Sequence, residues 1–427
     1  MSVALPLMNH TADAAPDDSP WLTRAVLFTP LITATVLSKF SPAGMGMPAL
    51  SLVLPVTFMV ALLGLLRGRM VLVSQRVVLL LVMLSALGLI QVWRGEVFSL
   101  PSMLMMMVLS CAYAPMLRPG TIDSSAAVNF FCNLSAAIAL LGVLQFALQL
   151  VVGRDLVFPI ETWVPAGLRS QGYNNLVPLF WGSHLYKANG VFMVEPSVFS
   201  QLCALGLIAE LTTRDRWWRL AVYAGAMVVA YSGTGLMILA VSLPLLVVVH
   251  QRWDLVLKGL LLLLILVLLA EPLNLQVILN RVNEFGSSGS SGYERFVGWQ
   301  NLFADRLWND PWRALFGYGA GSYFDAAQGY RAGEMAHAKI MFEFGVVGAL
   351  LYFGFIFYCV FRSPVPLMLR VAVIIAYFMN GAYSPTVTGI VVSVLLWPSA
   401  APRPGTGPDA AAGSESWPLD REVRRAA

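Results

Sequence analysis

The stretch from Gly259 to Ala270 reads Gly-Leu-Leu-Leu-Leu-Leu-Ile-Leu-Val-Leu-Leu-Ala. No polar side chain interrupts it, so it has no wet face to offer solvent. It also lacks the apolar–polar alternation of a barrel strand. Similar runs recur along the chain. Hydrophobic residues fill 58% of the 427 positions and charged residues 12%, against about 25% charged in soluble domains. A bilayer crossing takes about 20 apolar residues. With no water at that depth, only helices or a closed barrel satisfy the backbone, and the barrel pattern is missing. The sequence therefore predicts an all-α, polytopic transmembrane helical bundle of about 12 spans. They are read at 24–40, 49–66, 77–93, 100–117, 127–151, 191–210, 218–232, 235–250, 255–271, 337–361, 367–380 and 385–397. The last two are short enough to be tilted or re-entrant.

One membrane domain is expected over 24–397, flanked by tails. Residues 1–23 carry Asp13, Asp17 and Asp18 with no basic n-region, so they read as a disordered tail and not a signal peptide. Residues 398–427 are rich in Pro, Gly, Ala and Ser and read the same way. Orientation follows from basic residues in short loops, which mark the cytoplasm. Arg67, Arg69 and Arg76, then Arg214, Arg216 and Arg219, then Arg252 and Lys258, then Arg362 and Arg370 all fall on one side when the spans alternate. Both tails are then cytoplasmic. The two long connections, 152–190 and 272–336, are extracytoplasmic. The formal net charge of +4 is held in these flanking clusters, so it is no sign of nucleic-acid binding.

Cys111, Cys132, Cys203 and Cys359 lie in apolar spans, with neither disulfide nor zinc spacing. Neither outer loop contains an Asp-x-Asp pair, and no metal or other cofactor is expected. Chemistry is sought in the polar loops, where titratable groups gather at one membrane face. The first holds Arg154, Asp155, Glu161, Arg169, His184 and Lys187 among Trp163, Tyr173, Phe180, Trp181 and Tyr186. These aromatics read either as an interfacial belt or as a platform on which sugars stack. In the second, Phe296, Trp299, Phe303 and Leu307 recur at helical spacing. Arg295 and Arg306 are close to three whole turns apart at about 100° per residue and so would share a helix face. An interfacial helix over 294–308 is expected, with aromatics toward lipid. Its guanidiniums either grip phosphate oxygens or only anchor it. Phe285 to Gly292 is Gly/Ser-rich and reads as a flexible hinge. His337 stands at the outer mouth of a span and can accept a proton from a hydroxyl. Glu343, six residues on, needs a partner inside the apolar stretch. Glu195-Pro196-Ser197 opens another span, with Glu195 placed to favour the helix dipole or to orient an arginine or a sugar hydroxyl.

Three places resemble one family. Lys187-Ala188-Asn189-Gly190-Val191-Phe192-Met193-Val194-Glu195-Pro196-Ser197 is similar to the Arg-x-x-Gly-x-Phe-x-Glu-Pro-Ser stretch of bacterial polysaccharide polymerases, with Lys187 for the Arg. Tyr231-Ser232-Gly233-Thr234-Gly235 resembles a turn that precedes a span there, with Thr234 where Arg is frequent. Arg295 to Trp299, Gly317-Tyr318-Gly319, and His337 with Glu343-Phe344-Gly345-Val346-Val347-Gly348 resemble the outer loop and following helix of the O-antigen ligase and Wzy-type polymerase superfamily. Ala338 stands where that pattern has Asn after His.

The resemblance covers roughly 165–360 and implies a metal-independent, inverting membrane glycosyltransferase of the C type. Its donor would be a glycan on undecaprenyl diphosphate, polymerised into exopolysaccharide or O-antigen at the outer face of a bacterial inner membrane. It implies His337 as base and Arg295 as the diphosphate-stabilising residue, with Arg169, Lys187, Glu195, Arg281 and Arg306 as substrate-binding candidates. Implied partners are membrane lipid, a flippase and a chain-length regulator. Two alternatives stay open: a ligase that passes glycan to a lipid A core, and a transporter of lipid-linked sugar.

Overall fold

The structure, a computed structural model, describes residues 20–41, 52–94, 96–170, 172–180, 182–271, 274–279, 286–380 and 384–399. Helices dominate it. They are α1 Pro20–Val36, α2 Val53–Leu66, α3 Ser74–Arg94, α4 Leu100–Cys111, α5 Ser124–Val152, α6 Pro196–Thr213, α7 Trp217–Ala230 and α8 Gly233–His250. Then come α9 Asp254–Leu268, α10 Ala336–Phe361, α11 Leu367–Met379 and α12 Pro385–Ile390, which runs on through π turns at Val391–Leu396. Helices of one to three turns occupy parts of the two long connections. One small antiparallel pair, β1 Met70–Leu72 with β2 Pro115–Leu117, joins the α2–α3 and α4–α5 connections in the register Met70↔Leu117.

Four helices, α3, α5, α8 and α10, are long and apolar enough to cross a membrane, and α1, α2, α4, α7, α11 and Thr386–Leu396 are shorter apolar helices. The surroundings they need are clearest at α9. Leu257, Leu261 and Leu268 there are 72%, 58% and 71% exposed. From Gly259 on this helix is apolar on every side, and with its leucines outward such a stretch is at home in hydrocarbon and not in water.

α6 lies at the centre, packed by α5, α7, α8 and α11. Small residues bring these helices close, as in membrane bundles. A Cβ on Gly206 would stand 2.7 Å from the Tyr223 ring, and one on Gly235 would stand 2.2 Å from Ser200 Oγ. Val391 to Trp397 of the last helix are all buried. Its π turns free carbonyls that the protein satisfies from outside the helix. Arg76 Nη1 donates to Leu396 O at 3.0 Å, and Ser363 Oγ donates to Leu395 O at 2.6 Å. Arg76 is thus a buried tie as well as a basic loop residue.

α10 is broken. Gly345 has φ 67° and ψ −173° inside it, a region open in practice only to glycine. The carbonyls released just before the break take hydrogen bonds from another segment: Tyr318 N–H to Phe342 O at 3.0 Å and Gly319 N–H to Glu343 O at 2.8 Å. Gly317 lies against the Glu343 backbone, where a Cβ would come within 2.4 Å. The alternating glycines are therefore a close-packing device that docks one loop into a helix break.

Candidate functional site

The first polar connection is built on a buried ion pair. Lys39, just past α1, bonds Glu161 in Pro159–Trp163, and their side chains are 0% and 1% exposed. Such a pair is stable only when its remaining hydrogen-bonding capacity is used. Asn189 Nδ2 donates to Glu161 Oε1 at 3.2 Å and to Asn175 O at 3.0 Å. Gln145, inside α5, holds Asn189 from the other side, Nε2 to Oδ1 at 3.1 Å and Asn189 N–H to Oε1 at 3.0 Å. Arg169 Nη1 donates to Glu161 O at 3.0 Å. Arg169 therefore braces the pair, and Lys187 is buried two residues before Asn189.

Glu195 is the residue before α6, in extended conformation. Its Oε1 accepts the Asn174 N–H at 3.0 Å and its Oε2 the Ser197 hydroxyl at 2.8 Å. The Tyr231–Gly235 turn docks on the same helix end: Thr234 Oγ1 donates to Ser197 O at 3.0 Å and Gly235 N–H to Ser200 Oγ at 3.1 Å. Burial, then the Glu195 and Glu334 carboxylates, push the Tyr173 phenol above its ordinary pKa. Tyr173 thus feels one carboxylate from each polar connection.

His337 stands half-buried in the first turn of α10. Its ring packs edge-on against Trp299, 5.0 Å between centroids, and lies 5.9 Å from Phe378. Its Nδ1 is buried and has no hydrogen-bond partner among the described residues. Trp299 Nε1 donates to Arg295 O at 3.1 Å, which ties half-buried Arg295 to the same group. The neighbouring Ala336 N–H donates to Asn380 O at 3.1 Å, and Asn380 Nδ2 donates to Gln201 Oε1 at 2.6 Å on α6. The first turn of α10 is thus tied to α6, the helix that Glu195 precedes. Lys339 lies 3.7 Å from Glu334 and 3.6 Å from Glu343. Lys339 is therefore the partner that Glu343 needs.

The structure corrects three expectations. The helix expected over 294–308 is three pieces: Ser291–Phe296, Gly298–Leu302 and a π-helical turn at Phe303–Leu307. The wider turn spoils the 100° phasing, so the shared face argued for Arg295 and Arg306 is lost. Arg306 is exposed, and its carbonyl accepts the Tyr318 hydroxyl at 3.1 Å. The apolar stripe also turns inward. Leu302, Phe303 and Leu307 are buried with Tyr323 and Phe342 and do not face lipid. The expected hinge is partly docked, since Arg331 Nη1 donates to Ser288 O at 3.0 Å and Ser290 caps Ser291–Phe296. Arg281 and Trp181 lie outside the described residues.

Three residues of this region were not singled out by sequence: Lys39, Glu161 as a buried acid, and Lys339. A lysine at the end of an apolar run reads as a snorkelling anchor. The signal that was available for Lys339 is its i, i+4 spacing to Glu343.

No family model, no curated protein and no solved structure matches this chain.

Proposed function

We propose that this chain is an inverting membrane glycosyltransferase that polymerises undecaprenyl-diphosphate-linked repeat units at the outer face of a bacterial inner membrane. In this reading α1–α5, α6–α9 and α10–α12 make about twelve crossings, with both tails in the cytoplasm. The observation that carries it is the tie between the start of α10, which bears His337, and α6, which Glu195 precedes, through Asn380 and Gln201, with Arg295 held beside His337 by Trp299.

The acceptor hydroxyl attacks the anomeric carbon of the donor. Its proton passes to the His337 imidazole, whose Nδ1 has no hydrogen-bond partner among the described residues. The bond from the anomeric carbon to the diphosphate oxygen breaks, and undecaprenyl diphosphate leaves with the electron pair. Arg295 stabilises that charge, and Arg306 and Lys187 supply further cations to the donor's path. Glu195, already accepting two hydrogen bonds, orients a sugar hydroxyl with its remaining lone pairs. Arg169 acts less directly, by holding the Lys39–Glu161 floor under Asn189. A flippase to deliver the donor and a chain-length regulator are the expected partners.

The test is transfer in detergent or nanodiscs from a synthetic lipid-linked repeat unit, read as a gel ladder and by mass. His337→Ala and Arg295→Ala, in protein that still inserts, abolish polymer while donor accumulates. Polymer of normal amount and length in both variants refutes the assignment. Glycan found on lipid A core in place of long chains on the carrier makes the protein a ligase. One feature favours a second reading. A helix broken at Gly345, with the Lys339–Glu343 pair beside the break, is also how transporters build midplane sites. Flux of lipid-linked sugar across liposomes, with no new glycosidic bond, would support that reading.

A further inference from the structure

At the far end of α1 and α5 from this site lies a cleft of about 700 Å³, lined by Arg24, Arg69, Arg118, Gly68, Gly120 and Phe28 among others. α5 alone, with 29 residues, spans roughly 44 Å at 1.5 Å per residue. This is therefore a separate place on the molecule.

Its charge is out of balance. β1 and β2 pair as Met70↔Leu117, and the Arg118 N–H donates to Arg69 O at 2.9 Å. Arg69 and Arg118 are thus the next residues in the ladder, directly opposite one another. Like charges so placed destabilise a strand pair. Arg24 adds a third guanidinium from the first turns of α1. Among the described residues none of the three side chains has an ion pair or a hydrogen bond. Arg69 is only 9% exposed, and its Nη2 is buried without an acceptor. The one acid in the lining, Asp123, already caps α5, accepting from Ala126 N–H at 2.9 Å and from the Ser125 hydroxyl.

A buried guanidinium without a partner is costly. Opposing one across a strand pair with a second, and adding a third, makes sense when an oxyanion joins them. Arginine forks match phosphate oxygens in pairs. Gly68 and Gly120, with φ of 62° and 84°, keep side chains off the backbone beside the arginines. The flank is apolar: Phe28, stacked on Phe130 at 3.9 Å, stands next to Ile122.

We propose that this cleft binds a phosphate oxyanion between Arg24, Arg69 and Arg118, at the membrane face opposite the candidate active site. The phosphate could be carried by an anionic phospholipid, its chain against Phe28, or be a soluble phosphate.

The experiment measures thermal stability of the full chain in nanodiscs and in neutral detergent. One arm compares phosphatidylglycerol with phosphatidylcholine nanodiscs. The other adds inorganic phosphate in detergent, against chloride at equal ionic strength. A rise with phosphatidylglycerol alone identifies the lipid source, and a rise with inorganic phosphate identifies the soluble one. Arg24→Ala/Arg118→Ala, two exposed positions whose loss leaves the core intact, weakens the effect at least tenfold in apparent affinity. Arg214→Ala, an exposed arginine elsewhere, leaves it unchanged. Arg118→Glu supplies Arg69 with an acid, so it raises melting without ligand and removes the response to phosphate. No response of the wild type in either arm, or an equal response in the Arg24→Ala/Arg118→Ala protein, overturns the proposal.

Discussion

Replacing Gly345 by alanine tests the structural core of the site. The added Cβ would stand 2.2 Å from the Leu315 carbonyl carbon, and backbone there cannot give way like the end of a flexible side chain. Overpacking of this kind costs about 1–3 kcal/mol. The backbone conformation, φ 67° and ψ −173°, adds about 1–3 kcal/mol for a residue with a Cβ. Together they come to about 2–6 kcal/mol. Gly354 in the same helix is the control: a Cβ there meets nothing within 4 Å, so Gly354→Ala gains about 0.5–1 kcal/mol. At roughly 2–4 °C per kcal/mol for chains of 150–250 residues, and less for longer ones, the two variants should melt several degrees apart. Helical circular dichroism in detergent reads the melting. Hydrogen exchange at Tyr318 and Gly319 reads the docking, because their N–H groups bond the carbonyls before the break. Gly345→Ala should melt lower and lose protection at both amides. Equal melting of the two variants, with both amides still protected, would refute the claim that the break and the loop hold one another.

Lys39→Met strands the Glu161 carboxylate in a site 1% exposed and should cost about 3–5 kcal/mol, whereas Lys39→Met/Glu161→Gln should recover much of it; a double-mutant cycle of melting temperatures checks this. Leu261→Asp places a charge on a lipid-facing helix and should cost about 3 kcal/mol of insertion, while Leu261→Ala should insert normally, as read by membrane fractionation. In a chain whose four cysteines are replaced by alanine, Asp325→Cys should react with an impermeant maleimide from outside and Arg118→Cys only after permeabilisation. The reverse pattern would place the candidate site in the cytosol and remove the basis for a polymerase.

How much of this was legible in the sequence depends on the range of the interactions. The apolar runs predict helices because hydrocarbon leaves the backbone no other partner, and helices lie along them, although the run at 100–117 leaves the helix after Cys111 for β2 and the run at 191–210 turns helical only at Pro196. Local spacing, by contrast, misled where another element intervened. The phasing of Arg295 and Arg306 assumed a regular helix, but Phe303 and Leu307 are drawn into a cluster with Phe342 from α10, and the chain widens to a π turn to reach it. Gly317 and Gly319 gave no clue to their use, because the surface they approach is the Glu343 backbone, far along the sequence. The same holds for Lys39 and Glu161, 122 positions apart. The exception is instructive. Lys339 and Glu343 are one turn apart and were open to reading, yet an acid inside an apolar run draws attention to what it needs while the lysine beside it passes as an anchor. Within a membrane, each buried charge is a question about its neighbours within one turn before it is a question about distant loops.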